Sequence, residues 1–233
     1  MTQQVQQFAT VQGNITQLLG QDKSVEFIAE SLFFISVGNN DILDHHRSKR
    51  TTVSQTQLME AIRSNFTVQL TNLYNLGARK FGIISVPPLG CCPAARVENK
   101  TERSGCLTEL NDYARAFYST VSALLPSLSS QLHGMIYSLG DAYNMTFTTM
   151  KDPKAFGFKN IEEACCGKGY LNGEKPCFIY YSPNLCLNRT EYLFWDLYHP
   201  TEFASKLAAL TLFSGNSSFV VPINFSQLAR ASP

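Results

Sequence analysis

Ser31-Leu32-Phe33-Phe34-Ile35-Ser36-Val37-Gly38-Asn39-Asn40-Asp41 is the stretch whose reading decides the fold. Its first seven residues form an apolar run rich in strand formers, the pattern of a strand buried on both faces of a parallel sheet. Gly38 closes the run, and Gly38-Asn39-Asn40-Asp41 reads as the loop at the strand's C-terminal end. The same unit recurs on the C-terminal side. Residues 55–76 set Leu58, Met59, Ile62, Phe66, Leu70, Leu73 and Leu76 on one helical stripe, with Gly77 placed to cap the C-terminus. Residues 80–86 read as a second buried strand, stopped by Pro87-Pro88. Residues 107–132 return to helical spacing through Leu110, Tyr113, Ala114, Phe117, Val121 and Leu124, with Pro126 expected to kink or divide the helix. Residues 135–139 are a third short strand, and Gly140-Asp141 begins a helix that runs to about residue 150. On the N-terminal side, residues 5–19 and 25–29 read as two helices or one broken helix. Three rounds of strand and helix imply an α/β fold with a parallel sheet covered on both faces. Sites on such sheets lie in loops beyond the strand C-termini.

The second half of the chain supplies what those loops could work with. Asp196-Leu197-Tyr198-His199-Pro200-Thr201 places a carboxylate and an imidazole three residues apart, just ahead of a helix expected over residues 202–213. Pro200 suits its first turn and Glu202 its positive end. A tight turn there would let Asp196 hold one ring nitrogen of His199 and leave the other free as a general base. A surface hydrogen bond is the bland alternative. Residues 152–187, rich in Gly, Pro and Cys, read as an irregular excursion tied by cysteines, and residues 219–228 as an apolar segment lying along the surface. His45 and His46 read as solvated loop residues, His133 as flanking a helix end, and Asp41 as shaping its loop. Ser36 and Ser85 fall inside apolar runs and read as ordinary strand residues.

Composition narrows the function. At 233 residues and 44% hydrophobic content the chain can bury a substantial core, and it reads as one domain. A net charge of +1 with scattered Lys and Arg provides no basic stripe for nucleic acid. No apolar stretch is long enough to span a bilayer, and residues 1–20 lack the profile of a signal peptide. The sequence carries no signal for an oligomeric state. Seven Asn-x-Ser/Thr acceptor sites, at Asn14, Asn65, Asn99, Asn144, Asn188, Asn216 and Asn224, exceed the roughly two to three expected by chance and favour a secretory route.

The cysteines agree with that route. Cys91, Cys92 and Cys106 form one group, and Cys165, Cys166, Cys177 and Cys186 another. Their spacing lacks the two-residue gap of a zinc knuckle, so local disulfides are favoured over metal, with the connectivity open and at least one thiol left over. A bridge to Cys106 is expected to pin the loop that starts at Cys91. Acceptor sites and cysteines without a signal peptide lead to the expectation that the natural N-terminus lies upstream.

Together these blocks resemble the GDSL lipase and esterase family of the SGNH hydrolase superfamily, in its plant-type branch. Gly38-Asn39-Asn40-Asp41 is similar to the family's Gly-x-Asn-Asp block, and Asp196-Leu197-Tyr198-His199-Pro200-Thr201 to its Asp-x-x-His-Pro-Thr block. Val86-Pro87-Pro88-Leu89-Gly90-Cys91-Cys92-Pro93 and Ala164-Cys165-Cys166-Gly167 follow in the same order. The resemblance implies a three-layer α/β/α, flavodoxin-like fold and a secreted ester hydrolase. In it His199 would take a serine's proton, Asp196 would orient the imidazole, and the Asn40 amide would donate to the oxyanion. It implies no metal and no organic cofactor, and small-molecule, lipid or polysaccharide esters as substrates. The family's Gly-Asp-Ser block does not occur in the sequence, nor does its second block with the backbone oxyanion donor. Residues 1–233 are therefore expected to be a partial domain without its first strand and nucleophile, inactive and poorly stable in isolation. A non-catalytic binding protein that keeps the cleft, and an incomplete gene model, are the alternatives.

Overall fold

Side-chain alternation along three five-residue strands sets the layers. A computed structural model of the chain describes residues 1–48, 52–102 and 104–233. Helices α1 (Thr2–Leu19) and α2 (Gln21–Glu30) lead into β1 (Leu32–Ser36). Then come α3 (Asn39–Arg47), α4 (Gln55–Asn75), β2 (Lys80–Ile84), α5 (Pro93–Glu98), α6 (Thr108–Gln131), β3 (Ile136–Gly140) and α7 (Ala142–Lys151). The remainder holds β4 (Asn160–Ala164), β5 (Cys166–Gly167), β6 (Asn184–Leu185), β7 (Tyr192–Phe194), α8 (Glu202–Ser214), β8 (Val220–Val221) and α9 (Phe225–Arg230).

The main sheet runs β1-β2-β3-β8, parallel except for β8. Its register aligns Phe33, Phe81 and Tyr137 in one row and Ile35, Ile83 and Leu139 in another. Both rows pack into a core completed by side chains of α1, α4 and α6, including Val5, Phe66, Leu70 and Phe117. The intervening row, Phe34, Gly82 and Ser138, points to the other face. There the Phe225 ring sits 5.3 Å from that of Phe34, and a Cβ on Gly82 would come within 3.0 Å of Phe34 and 3.3 Å of Phe225. Glycine makes room for α9. The second face is completed by Ala142, Met145, Leu212 and Val220, so the architecture is three-layer α/β/α.

Local chemistry explains the boundaries. α4 opens on a reciprocal capping box between Ser54 and Gln57, and Gly77 beyond its end has a φ of 103° that favours glycine. α6 runs unbroken through Pro126. The expected division is absent because Leu124, Leu125 and Leu128 are all buried around the proline, and their burial outweighs one lost backbone bond. Residues 219–228 do not lie along the surface. Val220 and Val221 extend the sheet antiparallel to β3, and Phe225 and Leu228 are buried. Lys80, at the start of β2, is buried as well; its ammonium meets the Glu30 carboxylate and donates to the Ala229 carbonyl at 3.3 Å, tying α9 to the start of that strand.

Three disulfides hold the loops: Cys91–Cys106, Cys165–Cys186 and Cys166–Cys177. Cys92 belongs to none of them and is buried as a free thiol, which corrects its place among the disulfide candidates. No helix among the described residues is long and apolar enough to cross a membrane.

Candidate active site

The Asp196–His199 turn is held by hydrogen bonds on every side. Trp195 donates its N–H to the His199 carbonyl at 2.8 Å, and Thr201 N–H reaches the Leu193 carbonyl at 3.0 Å. The Thr201 hydroxyl donates to the Tyr192 carbonyl at 2.8 Å and accepts from Ala204 N–H at 3.2 Å, capping α8. Within the turn, Asp196 Oδ1 accepts the backbone N–H groups of Tyr198 at 3.0 Å and His199 at 2.9 Å. His199 Nδ1 lies 2.8 Å from Asp196 Oδ1 and 2.9 Å from Oδ2. An ionised carboxylate only accepts, so Nδ1 carries a proton, and in the neutral ring Nε2 is then the nitrogen with the lone pair. The Asp196 side chain is 23% exposed and that of His199 72%, which puts the carboxylate inside and the imidazole at the surface.

Gly38 brings the second block to this turn. It has a φ of 112° and serves as the N-cap of α3, so the block expected as a loop is the start of a helix. A Cβ at Gly38 would lie 2.4 Å from Phe117 Cε2, so glycine is required by both backbone and packing. Asp41 sits in the first helical turn, where its charge suits the helix dipole, rather than shaping a loop. The first intrahelical bond runs from Ile42 N–H to the Gly38 carbonyl, which leaves the N–H groups of Asn39, Asn40 and Asp41 outside the ladder. Gly38, Asn39, Asn40, Asp41 and His199 line one polar cavity of about 590 Å³. Asn40 is exposed there, with no side-chain hydrogen bond among the described residues.

His45 and His46 are not solvated loop residues. They belong to the last turn of α3; His45 Nε2 lies 3.1 Å from the Tyr113 hydroxyl, and His46 stands between Glu98 at 3.9 Å and Glu109 at 3.7 Å. Ser85 is buried, with its hydroxyl accepting the Ala142 N–H at 2.9 Å. Ser36 is exposed at the end of β1 and lines the His199 cavity, but no hydrogen bond joins it to His199. Cys92 offers no thiolate, because burial pushes its thiol up to about 12.

Two features escaped the sequence reading. One is a second, apolar cavity of about 490 Å³, lined by Met145, Phe156, Phe158, Leu193, Phe194 and Leu207 among others. Ser36 and Asn39 line both cavities, so the polar and apolar spaces adjoin there. The walls of the apolar cavity come from segments far apart in the chain, from Ser36 to Phe219, which no periodicity reveals. The other is Gln69, 6% exposed on the inner stripe of α4; its Nε2 donates to Thr2 Oγ1 at 3.1 Å while Oε1 has no partner. A glutamine among the apolar positions of that stripe was the available signal.

The seven acceptor asparagines divide by environment. Asn14, Asn65, Asn188 and Asn216 are exposed. Asn144 is exposed as well, but like the half-buried Asn99 and Asn224 it spends its amide nitrogen: the acceptors are the carbonyls of Gly105 and Cys106 for Asn99, Ser218 for Asn144 and Gly215 for Asn224.

A family model described as GDSL-like Lipase/Acylhydrolase matches residues 1–212. The chain is 31% identical over 234 residues to "GDSL esterase/lipase At4g16230" of Arabidopsis thaliana, covering 97% of this chain and 63% of that protein. It is 32% identical over 230 residues to "GDSL lipase" of Tanacetum cinerariifolium, covering 99% of this chain and 61% of that protein. The chain thus spans somewhat over three fifths of the length of these relatives. With a family model over most of its residues and relatives matched nearly end to end, the chain belongs to the GDSL-like lipase/acylhydrolase family.

Proposed function

We propose that residues 1–233 carry the acid–base half of a carboxylic ester hydrolase and form part of a longer catalytic domain. One observation carries the reading: a carboxylate-held imidazole with a free Nε2 shares a cavity with the unpaired N–H groups at the start of α3. In the proposed reaction His199 Nε2 takes the proton of an attacking hydroxyl as its oxygen bonds to the acyl carbon. Asp196 steadies the imidazolium, and the carbonyl electrons move onto oxygen. The Asn40 amide donates to that oxyanion, a contribution of about 3 kcal/mol when such a donor is preorganised. His199 then returns the proton to the leaving alkoxide. The neighbouring apolar cavity would take the acyl portion of a lipid or other ester.

The nucleophile is the open position. No Gly-Asp-Ser occurs in the sequence, Ser85 is committed to Ala142, and the Cys92 thiol stays protonated. The isolated chain is therefore proposed to hydrolyse p-nitrophenyl acetate no faster than buffer. An added small nucleophile should restore the chemistry. With hydroxylamine, acyl transfer is expected to run about tenfold faster with the chain than with His199→Ala, a fraction of full general-base catalysis. Equal rates for the two proteins would contradict the reading. Hydroxylamine-free turnover abolished by Ser36→Ala would instead assign the nucleophile to Ser36.

The absence of Gly-Asp-Ser also favours a second reading, a binding protein that keeps the apolar cavity without chemistry. Fatty-acid binding with no His199-dependent transfer would support it. The three disulfides fit an oxidising compartment, and secretion with glycans on exposed sites outside the His199 cavity, Asn14, Asn188 and Asn216, is part of the proposal. A mass decrease on enzymatic deglycosylation of protein secreted by plant cells checks it.

A further inference from the structure

The segment between two neighbouring disulfides contributes no residue to the proposed chemistry. Cys165 bonds Cys186 and Cys166 bonds Cys177, so both ends of that segment are tied to one buried pair of adjacent cysteines. The residues between them, Phe178-Ile179-Tyr180-Tyr181-Ser182-Pro183-Asn184-Leu185, include no charge. Their apolar side chains do not turn inward. Ile179 is 91% exposed, and Phe178, Tyr180 and Leu185 are exposed, as is Leu187 just past the bridge. The Phe178 and Tyr180 rings stack at 5.6 Å and the Tyr180 and Tyr181 rings meet at 4.8 Å, joining them into one surface. An apolar patch held out in water marks an interaction site, and the two covalent closures limit the freedom of the loop to collapse.

Charge identifies the partner. From Cys165 to Thr190 the chain carries Lys168, Lys175 and Arg189 against the single carboxylate Glu174. Lys168 Nζ donates to the Tyr181 carbonyl at 3.2 Å, Lys175 Nζ lies 5.6 Å from the Tyr181 ring centre, and Arg189 stacks over Trp195 at 4.7 Å. These three cations neighbour Tyr181 and Trp195, whereas Ile179 and Leu187 extend free into solvent. Aliphatic groups, amphipathic aromatic rings and cations together match the hydrocarbon, interfacial and anionic headgroup zones of a lipid surface.

We propose that this disulfide-closed loop is an interfacial anchor that places Phe178, Ile179, Tyr180 and Leu187 in an anionic lipid surface, with Lys168, Lys175 and Arg189 against its headgroups. The loop is joined to the site: Cys166 N–H donates to the Trp195 carbonyl at 2.7 Å, one residue before Asp196. Docking would hold the Asp196–His199 turn near the surface, although the anchor does not depend on the hydrolase reading.

The test is co-flotation of the disulfide-bonded chain with vesicles of phosphatidylcholine, with and without phosphatidylglycerol. Fluorescence of Trp195, the only tryptophan, serves as a second readout. The chain is expected to bind, and to bind more tightly when phosphatidylglycerol is present. Ile179→Asp with Leu187→Asp should weaken binding by at least about tenfold at unchanged melting temperature. Lys175→Glu with Arg189→Glu should remove the preference for the anionic vesicles. Absence of vesicle binding by the unaltered chain, or full binding by the Asp double variant, would overturn the proposal. So would self-association abolished by the Asp double variant without vesicle binding, which would assign the patch to a second copy of the chain.

Discussion

The sheet with its inner helices and the segment from Asn160 to His199 are built on different physics. In the first, rows such as Phe33–Phe81–Tyr137 and Ile35–Ile83–Leu139 are buried under α1, α4 and α6, so hydrophobic area provides the stability and each row depends on its neighbours. In the second, the strands are two to five residues long, Leu193 and Phe194 join only a small apolar cluster with Phe158 and Ala204, and two disulfides and single hydrogen bonds supply the rest. The proposed site takes the start of α3 from the core side of the molecule, where Ile42 and Leu43 are buried, and His199 from the second region. Rigidity of the scaffold and precision of the turn therefore have separate sources and can be broken separately.

The largest effect should come from Gly38, where the core and the site share one atom position. Gly38→Val forces a side chain into left-handed backbone and against Phe117, and is expected to cost about 2–5 kcal/mol of global stability, read as a lower midpoint in urea. Opening the second region should be milder and local. Cys165→Ser with Cys186→Ser removes a bridge across 21 residues, worth about 3 kcal/mol. Amide exchange should rise over residues 160–199, while β1, β2 and β3 keep their protection. Uniform loss of protection would merge the two regions into one.

The smallest effect is electrostatic. Burial raises the Asp141 carboxyl above its ordinary value, outweighing the Asn144 N–H at 2.9 Å that favours the ionised form. A raised folded-state value means that the folded chain holds the proton more tightly than the unfolded chain. This contribution therefore favours folding in acid and is lost as pH rises through the folded value. Asp141→Asn keeps a helix-capping side chain on α7, so it should match the unaltered chain at neutral pH or slightly exceed it, and lose its relative advantage in acid. Denaturant midpoints across the carboxylate range check the sign.

The same contrast decides what could be read from sequence. Leu58 to Leu76 and the runs at residues 31–37 and 80–86 were legible because burial on a regular element repeats along the chain. The Asp196–His199 pair was legible because both partners lie in one turn. The start of α3 was not. Asn39-Asn40-Asp41 has turn-forming composition, and only Ile42 and Leu43 of that helix are buried. Phe225 was misplaced for a related reason, since its burial depends on the space left at Gly82, a tertiary fact with no periodicity. The apolar cavity and the unpartnered Oε1 of Gln69 likewise exist only after distant segments assemble.

In the proposed site Asp196 holds His199 with its proton on Nδ1 and leaves Nε2 free to act as a base. Nitrogen NMR of the His199 ring, recorded above the imidazole titration, tests it most directly. The expected result is a protonated Nδ1 and an unprotonated Nε2, with that preference lost in Asp196→Ala. A proton resident on Nε2, or a tautomer indifferent to Asp196→Ala, would contradict it.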